Sequence, residues 1–256
     1  MKENRWFYEG ARPLVGLFVH AVERLRVEGM ENVPTTGPTI LVANHISSMD
    51  IVTIALPIKR HEHHMAKIEL FGIPVLGGIM RMLGAFPVRR GESDRESLRV
   101  AEEVLNAGQV LVIFPEGHRS GSGKMAAGLP GVALIAMRTG APIVPVGISG
   151  TEKVLKGFRF GPWAPTVRMV FGKPFTLTSD GKRRSEDLRR GIDTIMRHIA
   201  ALVPPEYRGI YAEPAPQPVA APPDSLAIVP GGADPLAAEA QADPRETPTP
   251  SAPPSA

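Results

Sequence analysis

Residues 39–50 read TILVANHISSMD: an apolar run from Thr39 to Ala43, a short polar stretch, then an acid where a helix can begin. The run follows the Gly37-Pro38 turn and does not alternate with polar residues, which marks a strand buried on both faces. The pattern recurs downstream. Gln109–Phe114 (QVLVIF) and Ile143–Ile148 (IVPVGI) are strongly apolar strands, and His63–Ala66 and Ala85–Val88 are shorter candidates. Helical segments lie between them: about Ser48 to Pro57, Phe71 to Leu83 with interruptions at Pro74 and Gly77-Gly78, and Pro130–Thr139 stopped by Gly140. Ser93–Ala107 is the clearest, with Ser93 and Glu96 as a capping box and Gly108 as the stop. Ser185–Leu202 closes the series, after Val167–Phe171 as an expected edge strand. Strand and helix alternate, so the fold class expected is α/β, a largely parallel twisted sheet covered by helices. In such sheets ligands gather beyond the carboxyl ends of the strands.

Three regions flank and fill this pattern. Residues 1–26 hold Trp6-Phe7-Tyr8 and an expected helix from Pro13, placed in its first turn, to Leu25. Its apolar residues Leu14, Val15, Leu17, Phe18, Val19, Ala21, Val22 and Leu25 cover most of the surface, flanked by Arg5, Arg12, Arg24 and Arg26. Such a segment suits a bilayer interface, and it equally suits a helix docked on the protein's own core. Residues 27–211 form the expected catalytic domain. Residues 212–256 are rich in Pro, Ala and acids with few large apolar side chains, the composition of a disordered tail.

Charge follows the same division. The net +3 splits into +8 over residues 1–211 (28 bases, 20 acids) and −5 over residues 212–256 (one base, six acids). A basic body attracts phosphorylated substrates, nucleic acid or an anionic lipid surface. Aromatic residues make up only 5% of the chain and show no basic–aromatic interleaving suited to stacking bases, which argues against nucleic acid. No apolar run reaches the roughly 18 residues needed to span a bilayer, and no signal-peptide cleavage pattern is readable, so peripheral attachment at the cytoplasmic face is expected. The chain has no cysteine, which removes disulfides, thiolate metal sites and cysteine nucleophiles.

Each strand end carries candidate chemistry. After the first strand, His45 and Asp50 form a His-x4-Asp pair that a helical turn can bring together, so that the carboxylate orients the imidazole as a base. Taken alone, the same pair fits a helix N-terminal acid beside an ordinary polar residue. Arg89-Arg90 follow Ala85–Val88 and can clamp a phosphate or decorate a solvated turn. Phe114-Pro115-Glu116-Gly117-His118-Arg119-Ser120, with Gly121, Gly123 and Lys124, can wrap an anion, with Glu116 holding Arg119 or a substrate hydroxyl. Ala141-Pro142-Ile143-Val144-Pro145 places two prolines in an apolar strand, indicating an edge strand or a shaped wall. His61, Glu62, His63 and His64 look like metal ligands, yet neighbours on a strand face opposite ways and converge poorly on one ion.

In this order, the four clusters resemble the glycerolipid acyltransferase superfamily, in particular the 1-acylglycerol-3-phosphate acyltransferases. That family shows N-H-x4-D, a second block closing on arginine, F-P-E-G-T-R-S and a proline-containing apolar block. The resemblance spans about Val27 to Tyr211 and implies the glycerol-3-phosphate acyltransferase-like fold. It implies His45 as general base, Asp50 as its orienting carboxylate and Arg90 as the phosphate-binding arginine, with Arg89 ranked below it. Glu116, Gly117 and Arg119 would help bind the acceptor. Pro145 matches the fourth-block proline, and Lys67 in Ala66–Leu70 would add positive charge near the acceptor. His118 stands where threonine is usual, which bears on acceptor preference rather than on the reaction. The implied partners are a lysophospholipid acceptor, acyl-CoA or acyl-carrier protein as co-substrate, and an anionic membrane surface. Neither a metal nor another cofactor is implied. With no cysteine, and no separate base evident for Ser47 or Ser48, direct transfer without an acyl-enzyme is expected.

Overall fold

In the strands Thr39–Ala43 (β2), Val110–Ile113 (β5) and Ile143–Ser149 (β6) every residue is buried, so they belong in the middle of the sheet with both faces covered. The structure, a computed structural model, describes residues 5–74, 76–82, 84–88, 95–156, 159–178 and 184–212. The other strands are β1 (Arg24–Glu28), β3 (Glu62–Lys67), β4 (Ala85–Val88) and β7 (Thr166–Phe171). The seven strands lie in the order β1-β7-β6-β2-β5-β3-β4. All neighbouring pairs are parallel except β6 and β7, whose register opposes Val146 to Phe171 and Ile148 to Met169.

Alternate residues of one strand feed two cores. Ile40, Val42, Leu111, Ile113 and Ile143 face α4 (Arg95–Asn106), α5 (Gly131–Thr139) and α6 (Arg184–Leu202). Leu41, Ala43, Val110, Val112 and Val144 face the other way, toward Ile54 of α2 (Asp50–Ala55) and Ile58. Fully buried side chains of this size each contribute about 1.5–3 kcal/mol, and truncating Leu111 to Ala would cost about 2–5 kcal/mol.

Several local expectations change. Helix α1 spans Arg5–Val22, starting two turns before Pro13 and placing that proline in its interior. It stops before Leu25, which belongs to β1, where RLRVE alternates exposed and half-buried residues beside β7. Strand β7 is therefore internal and β1 is the edge. Helix α2 is only six residues, and Ile68–Gly72 is a 3-10 turn ahead of α3 (Leu76–Met82). Ser93 of the expected capping box lies outside the described residues, as does the tail from residue 213. Strand β6 is not an edge either, despite Pro145. Pro145 pairs with Val42, and its carbonyl accepts from Gly172 N at 2.8 Å. Its missing N–H falls just past the last β7 pair, so the proline interrupts little of the ladder.

The apolar surface of α1 divides between the two readings its sequence allows. Val19 and Val22 are buried with Met49, Val154 and Val167, while Leu14 and Leu17 are each 71% exposed and Phe18 is also exposed. Arg12 is turned inward: its guanidinium donates to the carbonyls of Leu56, at 2.9 Å, and Ile58. Among the described residues no helix is long and apolar enough to cross a membrane.

Candidate active site

The site forms where β2 leaves the sheet. The amide of Asn44 makes two hydrogen bonds with the backbone of Ile148 in β6, donating from Nδ2 at 2.9 Å and accepting on Oδ1 at 2.8 Å. Those bonds extend the β2–β6 ladder through a side chain, so the main chain can turn away at His45. The chain then curls into α2, and Asp50 returns to the imidazole: His45 Nδ1 and Asp50 Oδ2 are 2.9 Å apart.

Asp50 is fully buried and surrounded by donors. Its Oδ2 accepts from the amides of Ile46 and Ser47, each at 2.8 Å, and its Oδ1 accepts from Thr151 Oγ1 at 2.5 Å. With both oxygens acting as acceptors, Nδ1 supplies the proton of the His45 bond, which leaves the Nε2 lone pair as the ring's acceptor. The imidazole also stacks on Phe114, with centroids 4.2 Å apart. Hydrogen bonding and stacking thus fix the ring's orientation and leave Nε2 as its acceptor nitrogen.

The loop after β5 braces the same histidine from the other side. Glu116 is buried; its Oε1 accepts from His45 N at 3.0 Å and its Oε2 from Ala126 N at 2.9 Å. Burial raises its carboxyl above the ordinary range, an effect those two amides partly offset. Glu116 therefore braces the backbone rather than holding Arg119, which donates to Ser48 Oγ at 2.5 Å. Ser120 N closes the loop on His45 O at 2.8 Å. Gly117 has φ +70°, a left-handed conformation that favours glycine, while a Cβ there would meet only the movable end of the exposed Leu129 side chain.

The structure thus brings together His45, Asp50, Glu116, Gly117 and Arg119. Pro145 instead lies within β6, where it packs against Gly172. Lys67 ends β3, is half-exposed and pairs with Glu69 at 3.1 Å. Arg89 and Arg90 lie outside the described residues. The suspected metal-ligand cluster divides by face: His61 and His63 rings are 4.9 Å apart, while His64 Nε2 comes within 3.7 Å of Glu62 Oε1. His118 is exposed and helps line an open cleft of about 580 Å³ with Ser120, Lys124, Pro205 and Ile210; His45 and Asp50 are not part of its lining.

Three further residues support the site. Asn44 adjoins His45 in the first block, so its position was a usable signal. Thr151 lies 101 residues beyond Asp50, and nothing around it in the sequence singles it out. It follows Gly150, where φ is +94° and an added Cβ would lie 2.4 Å from Thr166 O, so the turn requires glycine. The neighbouring Glu152 accepts from the Tyr207 hydroxyl at 2.8 Å, while Tyr207 O accepts from Met125 N. Burial and the Glu152 carboxylate push that phenol up to about 12. The third is Glu23, buried between α1 and β1, which accepts from Thr53 Oγ1 at 3.2 Å. Desolvation, with a smaller contribution from Asp50, raises its carboxyl to about 7.

Comparison with known proteins agrees with this geometry. The Acyltransferase family model matches residues 24–149. The chain is 31% identical over 148 residues to the chloroplastic 1-acyl-sn-glycerol-3-phosphate acyltransferase LPAT1 of Arabidopsis thaliana, covering 57% of this chain and 41% of that protein. It is 32% identical over 148 residues to the chloroplastic enzyme BAT2 of Brassica napus, covering 57% and 43%. The aligned part of the chain thus spans less than half the length of these two relatives. The crystal structure of the 1-acyl-sn-glycerophosphate acyltransferase PlsC from Thermotoga maritima is similar at a TM-score of 0.57 and 28% identity, covering 79% of this chain and 84% of that one. Residues 24–149 thus carry an acyltransferase domain similar to that of the 1-acyl-sn-glycerol-3-phosphate acyltransferases.

Proposed function

We propose that the protein is a 1-acyl-sn-glycerol-3-phosphate O-acyltransferase. It would transfer a fatty acyl group from acyl-CoA or acyl-carrier protein to the free hydroxyl of lysophosphatidic acid, yielding phosphatidic acid for phospholipid synthesis. The observation that carries this reading is the buried His45–Asp50 pair, with Nδ1 held by Asp50 and Nε2 left as the base. A protein that only bound lipid would have no use for a base oriented in this way.

In the proposed reaction His45 Nε2 takes the proton of the acceptor hydroxyl as its oxygen attacks the thioester carbonyl carbon. The developing imidazolium is stabilised by Asp50. The tetrahedral oxyanion then collapses, the C–S bond breaks, and the leaving thiolate takes the proton from Nε2, returning His45 to its starting state. The amides of His45, Ile46, Ser47, Met49 and Asp50 already donate within the chain. The Ser48 amide, beside Arg119, is therefore the donor assigned to the oxyanion. Arg90, with Arg89 and Lys67 in support, is assigned to the acceptor phosphate through the family resemblance, and Arg119 to the acceptor through resemblance and proximity. With the thioester as co-substrate, the scheme calls on no cofactor.

The same reading places the protein at the cytoplasmic face of a membrane, attached peripherally through the exposed Leu14, Leu17 and Phe18 of α1. Because α1 packs on Met49, next to Asp50, this contact would hold the site near an amphiphilic acceptor. The test is acyl transfer from an oleoyl or palmitoyl thioester to 1-acylglycerol-3-phosphate, wild type against His45→Ala. A loss of about 10²-fold or more in a folded variant is expected. Activity that survives the substitution would overturn the mechanism, and a wild type active only on another lysolipid would overturn the acceptor.

A further inference from the structure

The segment KVLKGFRFGPW, residues 153–163, contains three bases and no acid. Its ends are fixed inside the protein. Val154 is buried with Val19 and Val22 under α1, and Ala164 is buried next to the Gly161–Trp163 turn. Between those anchors the described side chains face outward. Trp163 is 77% exposed and Phe160 54%, and Leu155, Lys153, Lys156 and Arg159 are exposed as well.

Position connects the loop to α1. The Gly161–Trp163 turn packs beside α1, the helix that carries exposed Leu14, Leu17 and Phe18. Two neighbouring elements that each expose apolar side chains, one of them with cations as well, match the layered chemistry of a bilayer. Indole and phenyl rings settle at headgroup depth, leucines enter the acyl boundary, and ammonium and guanidinium groups meet lipid phosphates.

We propose that residues 153–156 and 159–163 form a second lipid-contacting element: Leu155, Phe160 and Trp163 insert at the interface, and Lys153, Lys156 and Arg159 bind anionic headgroups. This rests on the membrane-surface reading of α1 and adds a second point of contact. One helix on a surface can still roll about its axis. Two adjoining elements on different parts of the chain fix the body's orientation, and with it the direction in which the His45 site faces the lipid.

The chain has two tryptophans, so full-length protein carrying Trp6→Phe reports on Trp163 alone. It is titrated with phosphatidylcholine vesicles with and without phosphatidylglycerol, and with lipids brominated near the headgroup, with co-sedimentation run in parallel. The expected result is a blue shift and bromine quenching of Trp163, strengthened by the anionic lipid. Phe160→Ser with Trp163→Ser should lower vesicle partitioning about tenfold or more. That variant should keep its activity on detergent-dispersed acceptor and lose it on vesicle-borne acceptor. Protein that co-sediments while Trp163 emission stays unchanged would overturn this element and leave the α1 contact standing. Absence of any co-sedimentation would overturn both. A Trp163 response to acyl-carrier protein, with none to vesicles, would assign the surface to a protein partner and also overturn the proposal.

Discussion

Thr151 Oγ1 donates to Asp50 Oδ1 at 2.5 Å, joining the turn after β6 to the first residue of α2. Asp50 Oδ2 is already occupied by His45 and by the amides of Ile46 and Ser47, so Thr151 is the donor that holds the other oxygen. The carboxylate is thereby fixed at both ends, and the imidazole with it. Thr151→Val keeps the shape and removes the donor. A kcat lower by about 3–30-fold is expected, with about 1–3 kcal/mol lost from stability because a buried acceptor is left unpaired. Thr151→Ser should restore most of both. Steady-state kinetics and urea unfolding of the three proteins check this, and an unchanged kcat in the valine variant would remove Thr151 from the positioning machinery.

Asp50→Asn tests the tautomer. An asparagine has one acceptor oxygen for four donors, and its NH2 would face an N–H or force the ring to present Nε2–H outward. The expected loss in kcat is about 10²–10⁴-fold, with acceptor KM little changed. Near-normal kcat would mean that His45 does not depend on Asp50 for its proton.

Legibility in the sequence followed the range of the forces involved. Strands β2, β5 and β6 were readable because burial on both faces writes itself into consecutive residues. Asp50 was readable because five residues of chain suffice to bring it to His45. Strand β1 reads locally as the end of a helix: RLRVE is short and charged on its exposed face, and only its pairing with β7 makes it a strand. The internal place of β7 was hidden for the same reason, since local periodicity cannot report that β1 covers its outer side. Thr151 meets Asp50 across 101 residues with no local pattern to announce it, and Glu116, though legible in its own block, meets His45 N across 71 residues, a bond that the block does not reveal.

Glu116 separates two roles. The family resemblance assigns it to the acceptor, while both of its oxygens are occupied here by the amides of His45 and Ala126. In Glu116→Gln the carboxamide keeps one acceptor and turns an NH2 against the other amide. If bracing is its role, kcat falls about tenfold and stability by about 1–3 kcal/mol, while acceptor KM stays within about threefold. A rise in acceptor KM with kcat preserved would return Glu116 to direct substrate contact.

Glu23 supplies a pH dependence of stability. Its buried carboxyl is raised from 4.5 to about 7, chiefly by desolvation, and Oε1 has no hydrogen-bond partner among the described residues. At acid pH the folded and unfolded chains both hold the proton and Glu23 contributes no difference. As pH climbs from 4.5 to about 7 the unfolded chain releases the proton while the folded one retains it, so stability falls through that window. Above it the full penalty stands, about 1–3 kcal/mol after allowance for screening. Glu23→Gln cannot ionise and should escape the penalty. Urea unfolding is expected to show the variant more stable than wild type by that amount at roughly pH 8, with the difference closing by roughly pH 4. Parallel pH profiles for the two proteins would show that Glu23 ionises in the fold as freely as in the unfolded chain, and that the space between α1 and α2 is wetter than its burial indicates.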